Sequence, residues 1–363
     1  SVAIDGNYAI VGARLEDDGG TDSGKAYIYD ISTFTTSTIS SATYVLDNPT
    51  AYSGSAGDEF GSPVAISGNY AIVGAPWEDE AGGTNSGKAY IYDISTFTTS
   101  TISSATYVLD NPNAYDTSAG DYFGNSVAIS GDYAIVGAYL EDDAGGTGSG
   151  KAYIYDISTF ATSTISSATY VLDNPNAYST SAADYFGVSV AISGNRAIVG
   201  AYLEDDAGGS SSGKAYIFDV TTGALLKTLD NPNAYDTSAS DNFGFSVAIS
   251  SEYAVVGTYL EDEENNSSSG KVYVYNTGDA TDSTLDVTTS SEYFTVNNDT
   301  ATITVTANTN VDGYMYVVGD SDLEATVRQF NVSADLQSLV MDKYFNIPAG
   351  QGDGSLVMYF RDN

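Results

Sequence analysis

An internal repeat with a period of 57 to 63 residues runs through the first four fifths of this 363-residue chain, and it limits the possible folds more than any other property. A fixed period of this length indicates one structural unit copied along the chain. Because segment 94–112 is identical to segment 31–49, the copies should have nearly the same conformation. Two markers recur in register, namely Val2, Val64, Val127, Val190 and Val247, and Lys25, Lys88, Lys151, Lys214 and Lys271.

Each copy contains four segments of strand length, bounded by Gly, Asn and Asp as turns are. In the third copy the predicted strands are 123–129, 134–138, 152–157 and 169–172, and Pro175 ends the last because Pro cannot donate to a ladder. Four antiparallel strands repeated five times predict an all-β fold, a β-propeller of about five four-stranded blades, although an open β-solenoid is an alternative. The predicted blades are about 1–57, 58–120, 121–183, 184–240 and 241–287.

Three short motifs recur inside the copies: Asp-x-Phe-Gly, as at Asp121 to Gly124, then Val-Gly-Ala, as at Val73 to Ala75, and Gly-Lys-x-Tyr. In this combination the chain resembles the FG-GAP repeat, the blade of integrin α-subunit propellers and of many bacterial, archaeal and phage surface proteins. The resemblance implies a propeller exposed on a surface. Integrin-type blades that bind calcium carry a D-x-D-x-D-G loop between their first two strands, whereas that connection is only Gly68-Asn69 or Gly131-Asp132 here. The integrin calcium site is therefore not carried over.

Composition excludes several kinds of chemistry. The chain has no Cys and no His, so it offers no disulfide, no thiolate or imidazole ligand and no Ser-His-Asp triad. Paired carboxylates could still act as in a glycosidase, but every pair recurs in each copy, whereas catalysis needs one asymmetric arrangement. These patterns predict a protein that is not an enzyme.

The formal charge of −37 repels nucleic-acid backbones and anionic membranes. Such a surface stays soluble where salt screens it, which favours an extracellular, cell-surface or virion location. No apolar run is long enough to span a membrane, and the first residues lack a signal-peptide pattern. The chain also starts without Met and just after the point where an Asp-x-Phe-Gly would stand, which suggests a processed form and makes five a lower bound on the blades.

An acidic loop between the second and third strands recurs in all five copies. Clustered carboxylates attract Ca²⁺, so the loops are candidate metal sites, although a solvated loop with the following Lys as counter-charge is an alternative. The candidate ligands are Glu78, Asp79, Glu80, Glu141, Asp142, Asp143, Glu204, Asp205 and Asp206. The connections of the type DNPNAYDTSAGD could chelate as well, but Asp121 and its equivalents are expected to brace the turn before Phe-Gly.

Most of the 30 Tyr are expected to pack on strands. Tyr side chains in loops can stack on sugar rings, which makes those beside the acidic loops candidate ligand contacts. These are Tyr139, Tyr202 and Tyr259, and Trp77 is interpreted as replacing them in the second copy.

The repeat ends near residue 287, and segment 283–286 is predicted to be the fourth strand of the fifth copy. Alternating apolar runs in 288–363 predict a C-terminal β-sandwich of about seven strands, which would anchor or oligomerise the protein. The leading functional prediction is a surface-displayed recognition or structural protein, an adhesin, appendage or virion component. Its propeller would contact a glycan or protein, and its C-terminal domain would dock other subunits. A carboxylate-dependent polysaccharide hydrolase and a lattice protein with Ca²⁺-bridged acidic loops are the alternatives.

Overall fold

A computed structural model describes most of the repeat region and six strands after it. The described residues are 1–49, 56–79, 83–112, 118–142, 146–175, 182–205, 209–232, 239–262 and 268–277, followed by strands within 286–362. The chain divides into two compact units, Ser1–Gly278 and Asp279–Asn363.

The first unit is all-β and consists of five successive antiparallel sheets, which are the blades of a propeller. Their first strands pack against one another from blade to blade. These innermost strands are β1 (Val2–Asp5), β5 (Val64–Ser67), β10 (Ser126–Ser130), β15 (Ser189–Ser193) and β19 (Phe243–Ile249). The second strands are β2 (Tyr8–Ala13), β6 (Tyr70–Ala75), β11 (Tyr133–Ala138), β16 (Arg196–Ala201) and β20 (Tyr253–Thr258).

The outer half of each blade carries the aromatic third strand and a shorter fourth strand. The third strands are β3 (Lys25–Asp30), β7 (Lys88–Asp93), β12 (Lys151–Asp156), β17 (Lys214–Asp219) and β21 (Lys271–Asn276). The fourth strands are β4 (Tyr44–Asp47), β9 (Tyr107–Asp110), β14 (Tyr170–Asp173) and β18 (Leu225–Asp230). The predicted strands of the third copy are thus confirmed, with bounds that differ by at most three residues. In the first four blades the first two strands join through two-residue hairpins, in which residues such as Gly68 and Gly131 adopt positive φ.

The hydrophobic core lies in the seams between blades rather than within one blade. At the first seam Ile10, Ile28 and Leu46 of the first blade meet Val64 and Tyr90 of the second, all of them buried. The same positions recur at the next three seams. Strands such as β11 are buried on both faces because a neighbouring blade covers each side.

The glycines of the family motifs are the points where the backbones of adjacent blades touch. A Cβ added to Gly137 of Val-Gly-Ala would lie 2.0 Å from the carbonyl oxygen of Gly187 in the next blade. A Cβ added to Gly150 of Gly-Lys would lie 2.0 Å from the carbonyl oxygen of Phe186. Such contacts leave no room for a side chain. The motifs therefore require Gly because adjacent blades approach so closely at the seam.

A short strap also joins adjacent blades. Within the loop between the third and fourth strands, β8 (Thr101–Ile102) pairs in parallel with β4 of the preceding blade, and β13 (Thr164–Ile165) pairs with β9. The repeated STISSA segment therefore belongs to two blades at once. The fourth blade has the shorter segment VTTGALL instead, and a hydrogen bond of 2.6 Å from the Tyr170 hydroxyl to the Thr221 carbonyl connects the two blades there.

The described helices of the first unit are single 3₁₀ turns after the third strands, at Ile31–Thr33, Ile94–Thr96 and Ile157–Thr159. An Asp caps each turn by accepting a hydrogen bond from the backbone two residues later, as Asp93 does from Ser95. Among the residues that the structure describes, no helix has the length and apolar character needed to cross a bilayer.

The second unit contains two antiparallel three-stranded sheets among its described residues. Their strands are β22 (Asp286–Thr289), β23 (Thr300–Thr306), β24 (Val311–Val318), β25 (Arg328–Val332), β26 (Leu339–Tyr344) and β27 (Ser355–Asp362). Asp286 pairs with Thr306, so its predicted place in the fourth strand of the fifth blade is wrong, while 283–285 lie outside the described residues. The compact unit spans Asp279–Asn363, and the predicted domain boundary at residue 288 stays a prediction.

Candidate functional site

The candidate residues that the structure describes lie at one end of the blade strands. In an antiparallel blade, the loop from the second to the third strand emerges at the same end as the connection that enters the next blade. The acidic loops, which follow Ala75, Ala138 and Ala201, therefore share one face of the propeller with the Asp-x-Phe-Gly turns. We call it the loop face.

A continuous row of aromatic rings crosses the loop face from the second blade to the fifth. Neighbouring ring centroids are 4.5 to 5.9 Å apart, and three pairs meet edge to face while the other three are tilted. In order the rings are Trp77, Tyr122, Tyr139, Tyr185, Tyr202, Phe245 and Tyr259, and we call them the aromatic row. The structure thus brings together all four aromatic residues that the sequence suggested as ligand contacts.

Three members of the row escaped sequence analysis. Tyr122 and Tyr185 occupy the variable position of Asp-x-Phe-Gly, where the backbone has φ of 55° and 59°. Left-handed φ costs a non-Gly residue about 1–2 kcal/mol, and it turns the Tyr onto the face while the next residue, Phe, enters the seam. Phe245 follows the motif in the fifth blade, where Asn242 stands at the variable position. The sequence feature that could have revealed these residues is the Tyr at the variable position of Asp-x-Phe-Gly in two of the copies.

The row is partly exposed and uncharged. Its two end residues, Trp77 and Tyr259, and also Phe245 are exposed, and the inner rings are half-buried. Partial burial, and then the neighbouring phenols, raise the pKa of Tyr139 and of Tyr202. The hydroxyls of these residues therefore stay neutral at physiological pH.

An ion pair replaces the rings at the seam between the first and second blades. Arg14 stands at the position of Tyr139, Glu59 stands at that of Tyr122, and Arg14 Nη1 lies 2.5 Å from Glu59 Oε2. The aromatic row therefore does not extend to the first blade, where the equivalent positions hold this ion pair.

The register of Trp77 differs from the interpretation made from the sequence. Glu78 and Glu141 both donate their N–H to the last residue of the preceding strand, so Trp77 corresponds to Leu140 and Pro76 corresponds to Tyr139. Trp77 is therefore not the equivalent of the loop tyrosines. It still reaches the row, because its ring lies 4.7 Å from that of Tyr122.

The first acid of each loop is a buried structural group in blades two to five. Glu78, Glu141, Glu204 and Glu261 are at most 1% exposed, which contradicts the interpretation of a solvated loop for these residues. Each accepts a hydrogen bond from a tyrosine hydroxyl of the third strand; the donors are Tyr90, Tyr153, Tyr216 and Tyr273.

Burial also changes the acidity of two of these carboxyl groups, those of Glu78 and Glu204. It raises the pKa of Glu78 to about 8, although the hydrogen bond from Tyr90 opposes the shift. Burial likewise raises the pKa of Glu204 to about 7, against the hydrogen bond from Tyr216 and the charge of Lys214, whose Nζ lies 3.4 Å away. The expected Lys counter-charge is thus present at this loop.

The second acid closes its own loop. Asp79, Asp142 and Asp205 accept hydrogen bonds of 2.7 to 2.9 Å from the backbone N–H six residues later. The third acids, Glu80, Asp143 and Asp206, lie outside the described residues. Within the described part of the chain, no three acidic side chains come close enough together to hold a metal ion. Calcium binding at these loops stays a prediction.

The acid of Asp-x-Phe-Gly has a separate role. Asp121 is 3% exposed, and it accepts a hydrogen bond of 2.8 Å from the side chain of Asn111 in the preceding Asp-Asn-Pro segment. The same pair recurs at three other seams at 2.8 to 2.9 Å. It closes the connection between blades and braces the turn before Phe-Gly, as predicted.

Comparisons with solved structures find propellers at low similarity. One is the β-propeller domain of the Trilobed protease from Pyrococcus furiosus, which is described as having an open velcro topology. It is 10% identical, with a TM-score of 0.40 over 94% of this chain and 91% of that chain. Another is a chain in a complex of KlAtg21 with the coiled-coil of AgAtg16, also 10% identical, with a TM-score of 0.41 over 98% of this chain and 96% of that chain.

No curated protein matches the sequence. The FG-GAP repeat model does match, once in each blade, and its matches together cover more than half of the chain. The matched segments are 1–29, 50–92, 113–155, 177–218 and 233–275. The chain belongs to the FG-GAP repeat family, as the motifs at its blade seams indicated.

Proposed function

We propose that this chain is a non-catalytic, surface-displayed recognition protein that binds a glycan or a protein on its loop face. The observation that carries the proposal is the aromatic row, which offers seven rings in contact across four blades. The unit 279–363 would dock the propeller to an appendage, a virion or a cell surface.

A neutral glycan is the ligand that the row fits best. Aromatic rings stack on the apolar faces of sugars, and a row of rings provides several stacking positions for successive sugars. The phenols of Tyr139 and Tyr202 carry no charge, and the formal charge of −37 disfavours sulfated or phosphorylated chains.

The carboxylates near the row support a non-catalytic role. Glu141 and Glu204 are each engaged by a tyrosine hydroxyl, and the same pair recurs from blade to blade. A hydrolase would need one acid and one base in a place that the other blades do not copy.

Glycan-array binding of the full chain tests the proposal. We expect neutral glycans among the ligands, and we expect Trp77→Ala and Tyr259→Ala each to lower their affinity about tenfold, the effect of one lost stacking position. The matched control is Tyr253→Ala, since Tyr253 is as exposed as Tyr259 but lies at the opposite end of the same strand. Unchanged affinity in both Trp77→Ala and Tyr259→Ala would contradict the proposal. Release of reducing ends from the bound glycan would contradict it as well.

Immunogold labelling tests surface display. An antibody against the propeller should decorate intact particles or cells of the source. Labelling confined to the interior of lysed cells would argue against the proposed location.

A further inference from the structure

The front face of the fifth blade is exposed where the same face of every earlier blade is buried. In β21, Val272 is 66% and Val274 is 63% exposed. The corresponding residues of the fourth blade, Ala215 and Ile217, are 0% and 2% exposed because the fifth blade covers them. Among the described residues, nothing covers Val272 and Val274 in that way.

A groove of about 500 Å³ lies beside this exposed strand, at the loop-face end. Its lining includes Ser246, Gly257, Ser269, Gly270 and Val272. At the other seams the corresponding space holds the Phe-Gly backbone of the following blade.

Three contacts define how an inner seam holds that backbone. At the seam between the fourth and fifth blades, the Phe243 N–H donates to the Ser212 carbonyl at 2.9 Å. The Ser189 hydroxyl donates to the Gly244 carbonyl at 2.8 Å. A Cβ added to Gly200 would lie 2.0 Å from the same oxygen, so the absence of a side chain there makes the contact possible.

The fifth blade has all three residues with which an earlier blade holds the Phe-Gly backbone of the next blade. Ser269 corresponds to Ser212, Ser246 to Ser189, and Gly257 to Gly200. Ser269 is exposed, whereas Ser212 is fully buried. The nearest atom to a Cβ on Gly257 is the hydroxyl oxygen of Ser246 in its own blade.

We propose that this groove is a docking site for the Asp-x-Phe-Gly edge of another FG-GAP blade, supplied by a second polypeptide. The incoming Phe-Gly backbone would bond to Ser269 and Ser246, and the strand after it would cover Val272 and Val274. This face repeats one side of an interface that the chain itself forms four times, so the other side of that interface should fit it. An apolar face of this kind, next to an open groove of hydrogen-bonding groups, is the usual character of a protein-binding edge.

The probe is a fluorescent peptide with the sequence of residues 183–194, which contains Asp184, Phe186 and the first strand of the fourth blade. Fluorescence anisotropy with the full chain should show saturable binding. The same peptide with Phe186→Ala should bind at least tenfold more weakly, because the buried Phe ring is lost.

Variants of the full chain locate the binding site. Gly257→Ala places a methyl group where the peptide carbonyl would sit, and Val272→Asp places a charge under the incoming strand; each should weaken binding at least tenfold. The matched control is Val2→Asp, because Val2 is 75% exposed on the first blade and should leave binding unchanged.

Unchanged circular dichroism spectra will show that the variants fold. The proposal is overturned if the wild-type chain shows no saturable binding, which is the result expected if another part of the chain fills the groove. It is also overturned if Val2→Asp weakens binding as much as Val272→Asp.

Discussion

The α-carbon of Gly137 faces the carbonyl oxygen of Gly187 in the next blade so closely that a methyl group added to it would lie 2.0 Å from that oxygen. Gly137 belongs to the paired strand β11, and Gly187 is held by a hydrogen bond of 3.0 Å from its N–H to the Gly200 carbonyl, so neither backbone can move aside cheaply. We expect Gly137→Ala to lower the free energy of unfolding by about 3 kcal/mol or more. The control is Gly257→Ala, whose added methyl group comes within 3 Å only of the rotatable Ser246 hydroxyl among the described residues and should cost less than about 1 kcal/mol. Urea unfolding followed by circular dichroism measures both, and equal losses would contradict the seam argument.

Two fully buried tyrosines of β12 should respond differently to the loss of a hydroxyl group. Tyr153 donates to the buried carboxylate of Glu141, whereas the Tyr155 hydroxyl has no hydrogen-bond partner among the described residues. Tyr153→Phe should cost about 1–3 kcal/mol because it removes a donor from a buried acceptor. Tyr155→Phe should be neutral or stabilising. Unfolding curves at pH 8 will distinguish them, and a larger loss for Tyr155→Phe would refute the assignment.

The raised pKa of Glu78 predicts a pH dependence of stability. Since the carboxyl group titrates at about 8 in the folded chain and near 4.5 when unfolded, the folded state binds more protons between these values. Its contribution to stability is complete below pH 4.5 and is lost as the pH rises to 8, at about 1.4 kcal/mol for each unit of pKa difference.

The variant Glu78→Gln keeps an acceptor for Tyr90 but cannot ionise. We expect it to gain stability relative to the wild type as the pH rises from 5 to 8, by several kcal/mol at most. Glu252→Gln, at an exposed hairpin, serves as the control and should show no such trend. Urea midpoints at pH 5, 6.5 and 8 provide the test. If the midpoints of wild type and Glu78→Gln change in parallel with pH, the raised pKa of Glu78 is disproved.

The strap can be tested with two copies of one residue. Ile165 is 9% exposed, pairs with β9 and belongs to the core between the second and third blades. Its equivalent in the first blade, Ile39, is exposed and lies in no described strand. Ile165→Ala should cost about 2 kcal/mol, and Ile39→Ala should stay within about 0.5 kcal/mol. Similar losses at both positions would show that the pairing contributes nothing.

The blades could be predicted from the sequence because each strand and turn follows from neighbouring residues and the same pattern occurs five times. The hairpin at Gly131 and the strand at Tyr133–Ala138 follow from turn chemistry and apolar periodicity alone. The partners of Glu141 did not follow from the sequence. An acidic triplet reads as a solvated loop, and only the return of β12 beneath that loop places the Tyr153 hydroxyl against its first member.

The aromatic row shows a second limit. Tyr139 was identified from its loop, but its neighbours Tyr122 and Tyr185 belong to turns distant in the sequence. A left-handed backbone directs both rings onto the face, and single-sequence patterns do not reveal that conformation. Sites assembled across repeats need the seam geometry as well as the motif.

The seam also has a direction. The Phe60 N–H bonds to Ser23, Gly61 contacts Gly12, and the strap at Thr101–Ile102 pairs with β4, so every one of these contacts reaches from the second blade back to the first. A blade that leaves the ribosome is therefore incomplete until its successor has been synthesised. We expect the seams to close during translation, from the amino to the carboxyl end.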